Sequence, residues 1–295
     1  MSRRADELPA GSRLSLEADF KVADLLGESP TGRYEASGVV LRDGVFYVVF
    51  DDMPHIGMMT DLLPGAEGSA LLKQNGRFGY EDIAHDPVSD HFFALIEASP
   101  RGQGFMAKIR EYDGEFSHLS TEWLDFPLDS DNKGMEGLTC VSADGELYLL
   151  ALCEGNRCRG GDAGRKPGGG RIQVFGRGRD GWDHRATIRL SEQLPFQDYS
   201  SVAVTGQRIA VLSQGSAALW LGTLRTPAWE VADEGSIYGF PVDSEGKTIF
   251  CNAEGVAWLS ADRVVVVSDR IKDGQHRRDR AKDESIHVFA IPARP

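Results

Sequence analysis

Apolar residues in this chain come in short runs closed by a polar residue, and five such runs follow one template. A polar residue or Glu, a small or acidic residue and an aliphatic one come first, then a turn, then the run itself. Ser37-Gly38-Val39-Val40 leads to Phe46-Tyr47-Val48-Val49-Phe50-Asp51, and Glu81-Asp82-Ile83-Ala84 to Phe92-Phe93-Ala94-Leu95-Ile96-Glu97. Glu136-Gly137-Leu138-Thr139 leads to Leu147-Tyr148-Leu149-Leu150-Ala151-Leu152-Cys153-Glu154. Ser200-Ser201-Val202-Ala203 and Glu254-Gly255-Val256-Ala257 lead to Ile209-Ala210-Val211-Leu212-Ser213-Gln214 and Val264-Val265-Val266-Val267-Ser268-Asp269. Runs this short, rich in β-branched and aromatic residues and bounded by turns, are strands rather than helices.

A third strand follows each run, at Ile56–Met59, Phe105–Ile109, Arg171–Phe175, Ala218–Leu221 and Ser285–Phe289, and a more polar fourth follows in most, as at His184–Leu190. Four antiparallel strands recurring every roughly 45 to 65 residues describe the blade of a β-propeller. The expected fold is all-β: one five-bladed propeller domain over residues 1–295, with blades starting near 37, 81, 136, 200 and 254. The last repeat stops after its third strand while residues 14–24 hold an unused one, so Leu16–Val22 is expected to pair with Ile286–Ile291 and close the ring.

In such a blade the first strand starts, and the second ends, on the same face. The template therefore sends two polar rings to one channel mouth: Ser37, Glu81, Glu136, Ser200 and Glu254 inside, and Asp51, Glu97, Glu154, Gln214 and Asp269 outside. Carboxylates crowded into a channel must gain protons or a cation. Oxygen-only ligands without His or Cys suit calcium, so Ca²⁺ held by the inner five is the expected cofactor.

Charge and cysteines narrow the partners. A formal charge of −13 argues against nucleic acid, and no apolar stretch approaches a membrane span or a signal-peptide core, so a cytoplasmic location is expected. Cys140 and Cys251 fall in strand-like segments and read as small buried hydrophobes. Cys153 and Cys158 stand close together without the further ligands of a zinc site, and whether they pair stays open.

At Met135-Glu136-Gly137-Leu138, Ala253-Glu254-Gly255-Val256, Val267-Ser268-Asp269 and Leu212-Ser213-Gln214 the sequence resembles the SdiA-regulated family of bacterial propellers, over roughly residues 34 to 292. The ring order Ser, Glu, Glu, Ser, Glu is also similar to the calcium site of soluble calcium-activated nucleotidases, which are five-bladed propellers, and phytase-like esterase domains share the Glu-Gly-aliphatic element. These resemblances imply Ser37, Glu81, Glu136, Ser200 and Glu254 as neighbours of a central ion. The nucleotidase catalytic loops have no counterpart in this chain.

Two long basic loops leave the second strands at that mouth. One carries Arg157, Arg159, Arg165 and Lys166 among glycines; the other carries Arg270, Lys272, His276, Arg277, Arg278, Arg280 and Lys282. Arg157, Arg159, Arg270 and Arg277 are the expected contacts to an anionic substrate. For acid–base work the candidates are His55, with His276 second, and the outer-ring carboxylates Asp51, Glu97, Glu154 and Asp269. The tryptophans are expected to pack between blades. Serine-hydrolase, P-loop and zincin motifs are absent. Two classes of function remain: a calcium-dependent hydrolase or lyase of a small anionic (phospho)ester, and a non-catalytic propeller that binds a small anion or a protein partner.

Overall fold

The computed structural model describes residues 12–76, 79–129, 134–250, 252–272, 274–275 and 277–293, apart from the side chains of Glu97, Arg277 and Asp279. Cys251 and His276 therefore lie outside the described residues.

The strands form successive antiparallel meanders. The first runs Ala36–Arg42, Val45–Phe50, His55–Met59, Ala70–Lys73. The second runs Ile83–Asp86, His91–Arg101, Gly104–Tyr112, His118–Asp125, and the third Met135–Ala143, Glu146–Cys153, Arg171–Arg177, Trp182–Arg189. A short parallel contact between the outer strands of these two joins them into one eight-stranded sheet. The fourth meander is Ser201–Thr205, Arg208–Ser213, Ala218–Arg225, Ser236–Gly239. The last is Ala253–Trp258, Arg263–Ser268, Ser285–Ala290 and, on its outer edge, Ser15–Lys21, which precedes the first meander in sequence.

The first strand of each meander touches that of the next, and Ala253–Trp258 returns to Ala36–Arg42, so these strands line a closed ring. Each hydrophobic cluster draws on two neighbouring meanders: Val48, Phe50, Val265 and Ile286 belong to one, Phe93, Ile109, Leu149 and Trp182 to another. The core is thus distributed between sheets, as the alternation of inward positions on both faces of each strand requires. Trp182 and Trp220 are fully buried in it. Among the described residues no helix is long and apolar enough to cross a membrane.

The edge strand Ser15–Lys21 is fastened by charge as well as by its ladder. Arg263 Nε lies 2.7 Å from Glu17, Lys21 Nζ lies 2.7 Å from Asp283, and Lys282 bonds Asp19. The fully buried His287 sits with Nδ1 2.8 Å from Asp19 Oδ1 and Nε2 3.0 Å from Ser268 Oγ. Burial raises the Asp19 carboxyl, but His287 and Lys282 outweigh it and hold the group at about 2. Burial lowers the His287 imidazole against the pull of Asp19. The order Ser, His, Asp is that of a hydrolytic triad, but Ser268 is 1% exposed and lines none of the three cavities described below, so these groups act as a latch.

Midway along the ring the axis is closed. Three of the residues that follow the polar ring are glycines, and a Cβ added to Gly38 would lie 2.4 Å from Asp82 Oδ1, while one on Gly255 would lie 2.8 Å from Gly38 Cα. The Asp82 side chain fills the space they leave. It accepts from the backbone N–H groups of Ile83 at 2.8 Å and Leu138 at 2.9 Å and from Ser201 Oγ at 2.8 Å; Ser201 Oγ in turn accepts from Val256 N–H at 3.1 Å. One carboxyl thereby ties the first strands of the second, third and fourth meanders, and through Ser201 the last. Burial raises its pKa well above the usual value, and its three donors oppose the rise.

Candidate functional site at the polar mouth

The polar ring owes its aim to a local irregularity. In the first, third and last meanders the ladder skips one residue, pairing Ala36 and Gly38, Met135 and Gly137, and Ala253 and Gly255 with successive partners. The extra residues are Ser37, Glu136 and Glu254. A bulge of this kind turns the side chain of its extra residue out of the strict in–out alternation, here into the channel mouth. Glu81 and Ser200 precede their strands but still donate backbone bonds, to Leu95 O at 2.9 Å and Leu212 O at 3.0 Å.

These five residues meet. Ser37, Glu81, Glu136, Ser200 and Glu254 line one narrow cavity of about 40 Å³, together with Glu154, Asp198, Tyr199 and Gln214. Of the outer ring, Glu154 and Gln214 reach it. Asp51 and Asp269 lie beside it, in electrostatic contact with Glu254. The Glu97 side chain is outside the described residues.

Burial pushes Glu254 well above the carboxylate range, reinforced by Asp269 and Glu136 and opposed by Lys272 and Gln214. Burial likewise raises Asp269, and the Arg270 backbone N–H and Lys272 limit the rise to about 6. Asp51 is pushed up to about 9 by loss of water around its carboxyl, by its hydrogen bond with Glu35 and by Asp269 and Glu254; its side chain also reaches solvent at the rim, which screens part of that pressure. Lys272 answers this acidity with its ammonium 3.6 Å from both Glu254 Oε1 and Asp269 Oδ2.

Oxygen-only donors suit a hard cation, but several already hold protein partners. Ser37 Oγ donates to Tyr80 O at 2.5 Å, Ser200 Oγ donates to Ala253 O at 3.2 Å, and Gln214 Nε2 donates to Glu254. Among the described residues no three His, Cys, Asp or Glu side chains converge to grip an ion.

A second, wider cavity of about 360 Å³ adjoins the first and shares Glu154, Asp198 and Gln214 with it. Arg159, Arg165 and Lys272 bring positive charge to its wall. The glycine-rich loop that carries both arginines is built around one buried side chain. Asn156 Nδ2 donates to Gly164 O at 2.9 Å and Phe196 O at 3.2 Å, while Oδ1 accepts from Gly169 N–H at 2.8 Å and Tyr199 Oη at 3.1 Å. Gly155 and Gly164 close on the Arg159 carbonyl so tightly that a Cβ on either would lie about 2 Å from its oxygen. A Cys153–Cys158 disulfide cinches the same loop directly around Glu154.

The four arginines chosen from sequence divide. Arg159 lines the wide cavity, whereas Arg157 and Arg270 are exposed and line neither cavity, and the Arg277 side chain is outside the described residues. Arg157 is drawn aside because its positive φ of 58° turns the backbone so that its N–H bonds Gly169 O at 2.6 Å. His55 also lines neither cavity. It begins the third strand of its meander, two strand spacings or about 10 Å out from the channel strand. Its buried Nδ1 has no hydrogen-bond partner among the described residues, and burial and Lys73 lower its pKa against the pull of Asp52. Sequence reasoning missed Asp198, which accepts from Ser213 Oγ at 2.6 Å and Gly215 N–H at 2.9 Å at the edge of both cavities. An Asp preceding Tyr199 and the ring serine was the available signal.

Solved structures of similar shape identify the architecture. Residues making up 94% of this chain superpose on 97% of a glutaminyl cyclase from Myxococcus xanthus, with a TM-score of 0.55 and 11% identity. The fold is a β-propeller. RS223 β-xylosidase matches with a TM-score of 0.53 and 10% identity over 94% of this chain and 96% of its own. The GH43 protein BlXynB from Bacillus licheniformis matches with a TM-score of 0.54 and 9% identity over 93% of this chain and 56% of its own. Identities this low carry the fold and nothing of the chemistry. No family model matches the propeller and no curated protein does, so the SdiA-regulated resemblance stands on the short repeat motifs alone.

Proposed function

We propose that this protein is a single-domain, five-bladed propeller whose polar mouth binds a small anionic ester and hydrolyses it. The observation that carries the reading is the shared wall of Glu154, Asp198 and Gln214 between a cavity bearing three cations and one bearing four glutamates. A ligand with a phosphate or carboxylate at one end would set that charge on Arg159, Arg165 and Lys272 and lay its ester bond over the acidic ring. Glu254, whose carboxyl burial raises well above the usual range, would deliver a proton to the leaving oxygen, and Glu154, which lines the same cavity, would accept one from the attacking water.

Calcium in the ring is a separate proposal, supported by the same crowding: a group of acids that raises its own pKa values is short of positive charge. It requires Lys272 and Gln214 to release Glu254, so no step above depends on it. The disulfide favours an oxidising compartment over the cytoplasm.

The test is a panel of phosphomonoesters, phosphodiesters, nucleotides and carboxylate esters, each with calcium and with chelator. Hydrolysis that falls at least about a hundredfold in Glu254→Gln, in keeping with the loss of a general acid, supports the enzyme. Saturable binding without turnover assigns the mouth to a non-catalytic receptor, and failure of every ester to bind removes the reading. A calcium-dependent rise in Tm abolished by Glu136→Gln supports the ion, and no rise at millimolar calcium removes it.

A further inference from the structure

The far side of the closed axis holds a cavity of about 550 Å³, walled by the downstream halves of the strands that line the ring. Its volume lies within the range of small-molecule sites. Val39, Ile83, Leu138, Val202 and Val256 form its depth and are almost fully buried, so the apolar wall recedes into the molecule rather than lying on it. At the rim stands Val88, which is 81% exposed, the most exposed large hydrophobic side chain among the described residues.

The charged groups at this mouth are already satisfied. Asp86 accepts from Val88 N–H, Ser89 N–H and Ser89 Oγ at 3.2, 3.1 and 2.7 Å. Asp90 takes His85 Nε2 at 2.9 Å and Arg42 at 2.6 Å. Cys140 Sγ donates to His85 O at 3.0 Å. By contrast the hydroxyls of Thr139, Ser142 and Thr205, which line the same wall, have no protein partner among the described residues. A cation here would find no unspent carboxylate, and an anion would find two carboxylates and no unspent base. An uncharged molecule with an apolar body loses nothing on entry and gains hydroxyl partners.

We propose that this cavity is a second binding site, for an uncharged small molecule with a rigid apolar body and one or two hydroxyl or carbonyl groups. It is independent of the polar mouth, because Asp82 and the glycines around it close the axis between them. The body lies against the valine and leucine wall, Val88 covers its outer edge, and Thr139 and Ser142 bond its polar groups.

The experiment uses N-phenyl-1-naphthylamine, a neutral fluorophore that brightens on leaving water, titrated into the whole protein. Saturable enhancement at one site per chain is expected. Thr139→Trp, which fills the cavity from a half-buried position, should weaken it at least tenfold, and Val88→Asp at the exposed rim several-fold. Glu254→Gln and added inorganic phosphate should leave it unchanged. Circular dichroism confirms that each variant is folded; if Thr139→Trp is not, Val88→Asp and a second rim change, Thr205→Lys, decide the matter. Enhancement that does not saturate, or that survives Thr139→Trp and both rim variants undiminished, overturns the proposal. Displacement by phosphate would instead put the probe at the polar mouth and overturn it as well.

Discussion

The two mouths of one channel are built from the same strands and differ in almost every physical respect. Where the channel strands begin, bulges turn Ser37, Glu136 and Glu254 inward, and carboxyls crowd until burial and mutual repulsion raise their proton affinity. Where the same strands continue in regular register, Val39, Leu138 and Val256 line the wall while packing into the clusters between sheets, and the polar groups are neutral or already paired. One skipped residue in a ladder therefore separates an acidic site from an apolar one, and Asp82 keeps the two from mixing.

The sharpest way to break the contrast is to remove that divider. Asp82→Ala leaves Leu138 N–H and Ser201 Oγ without their acceptor and opens a void, and should cost about 3 kcal/mol of stability. Asp82→Asn, which keeps an acceptor and the volume, should cost less. Chemical denaturation of both variants measures the difference; equal and negligible losses would mean that the glycines alone close the axis.

The acidic mouth should also give the protein an unusual pH profile. Asp269 at about 6 and Asp51 at about 9 both sit above their unfolded values near 4, so the folded state holds more protons than the unfolded one in this window. Stability from these groups is full below about pH 4 and is lost as pH rises through 6 and toward 9, by about 1 to 3 kcal/mol once rim solvent is allowed for. Glu254→Gln should flatten the fall. A stability that climbs from about pH 5 to 8 would show that a cation or Lys272 already neutralises the mouth.

How far the contrast could be read from sequence depends on what alternation encodes. The strands, their recurrence and the ring Ser37, Glu81, Glu136, Ser200 and Glu254 were legible because the template repeats them. The apolar cavity was not, because a valine facing a channel and one facing a core have the same period; Val256 looks identical in both roles. Asp82 was visible only as an acidic variant of a small position, and its meaning comes from Gly38 and Gly255, which are remote in sequence. His55 lies away from the mouth for a geometric reason: following the second strand in sequence puts a residue on the third, two strands out from the channel. The Cys153–Cys158 pairing needed the loop geometry that Asn156 imposes.

Smaller effects should confine themselves to one mouth. Cys153→Ser with Cys158→Ser removes a short covalent loop, which by loop-closure entropy contributes about 2 kcal/mol, and should loosen Arg159 and weaken anion binding while leaving the apolar cavity unaffected. Arg159→Ala or Arg165→Ala should weaken a phosphate ligand several-fold and change stability by less than about 0.5 kcal/mol, with the binding loss shrinking at high salt as the Debye length falls below about 8 Å. Equal losses at both mouths would show them to be coupled.

The latch around His287 has a consequence for how the chain is made. Strand Ser15–Lys21 emerges from the ribosome ahead of every meander, but its partner Ser285–Ala290 is the last strand of the last meander. Until then the early strand has an unsatisfied edge, and the ring cannot complete its final sheet however far the intervening meanders have folded. Closure is a late, long-range event in biosynthesis, and it brings Asp19 and His287 together in one step. A nascent chain arrested before Ser285 should therefore expose residues 15–21 to protease while its middle meanders resist, and release of the finished chain should protect them.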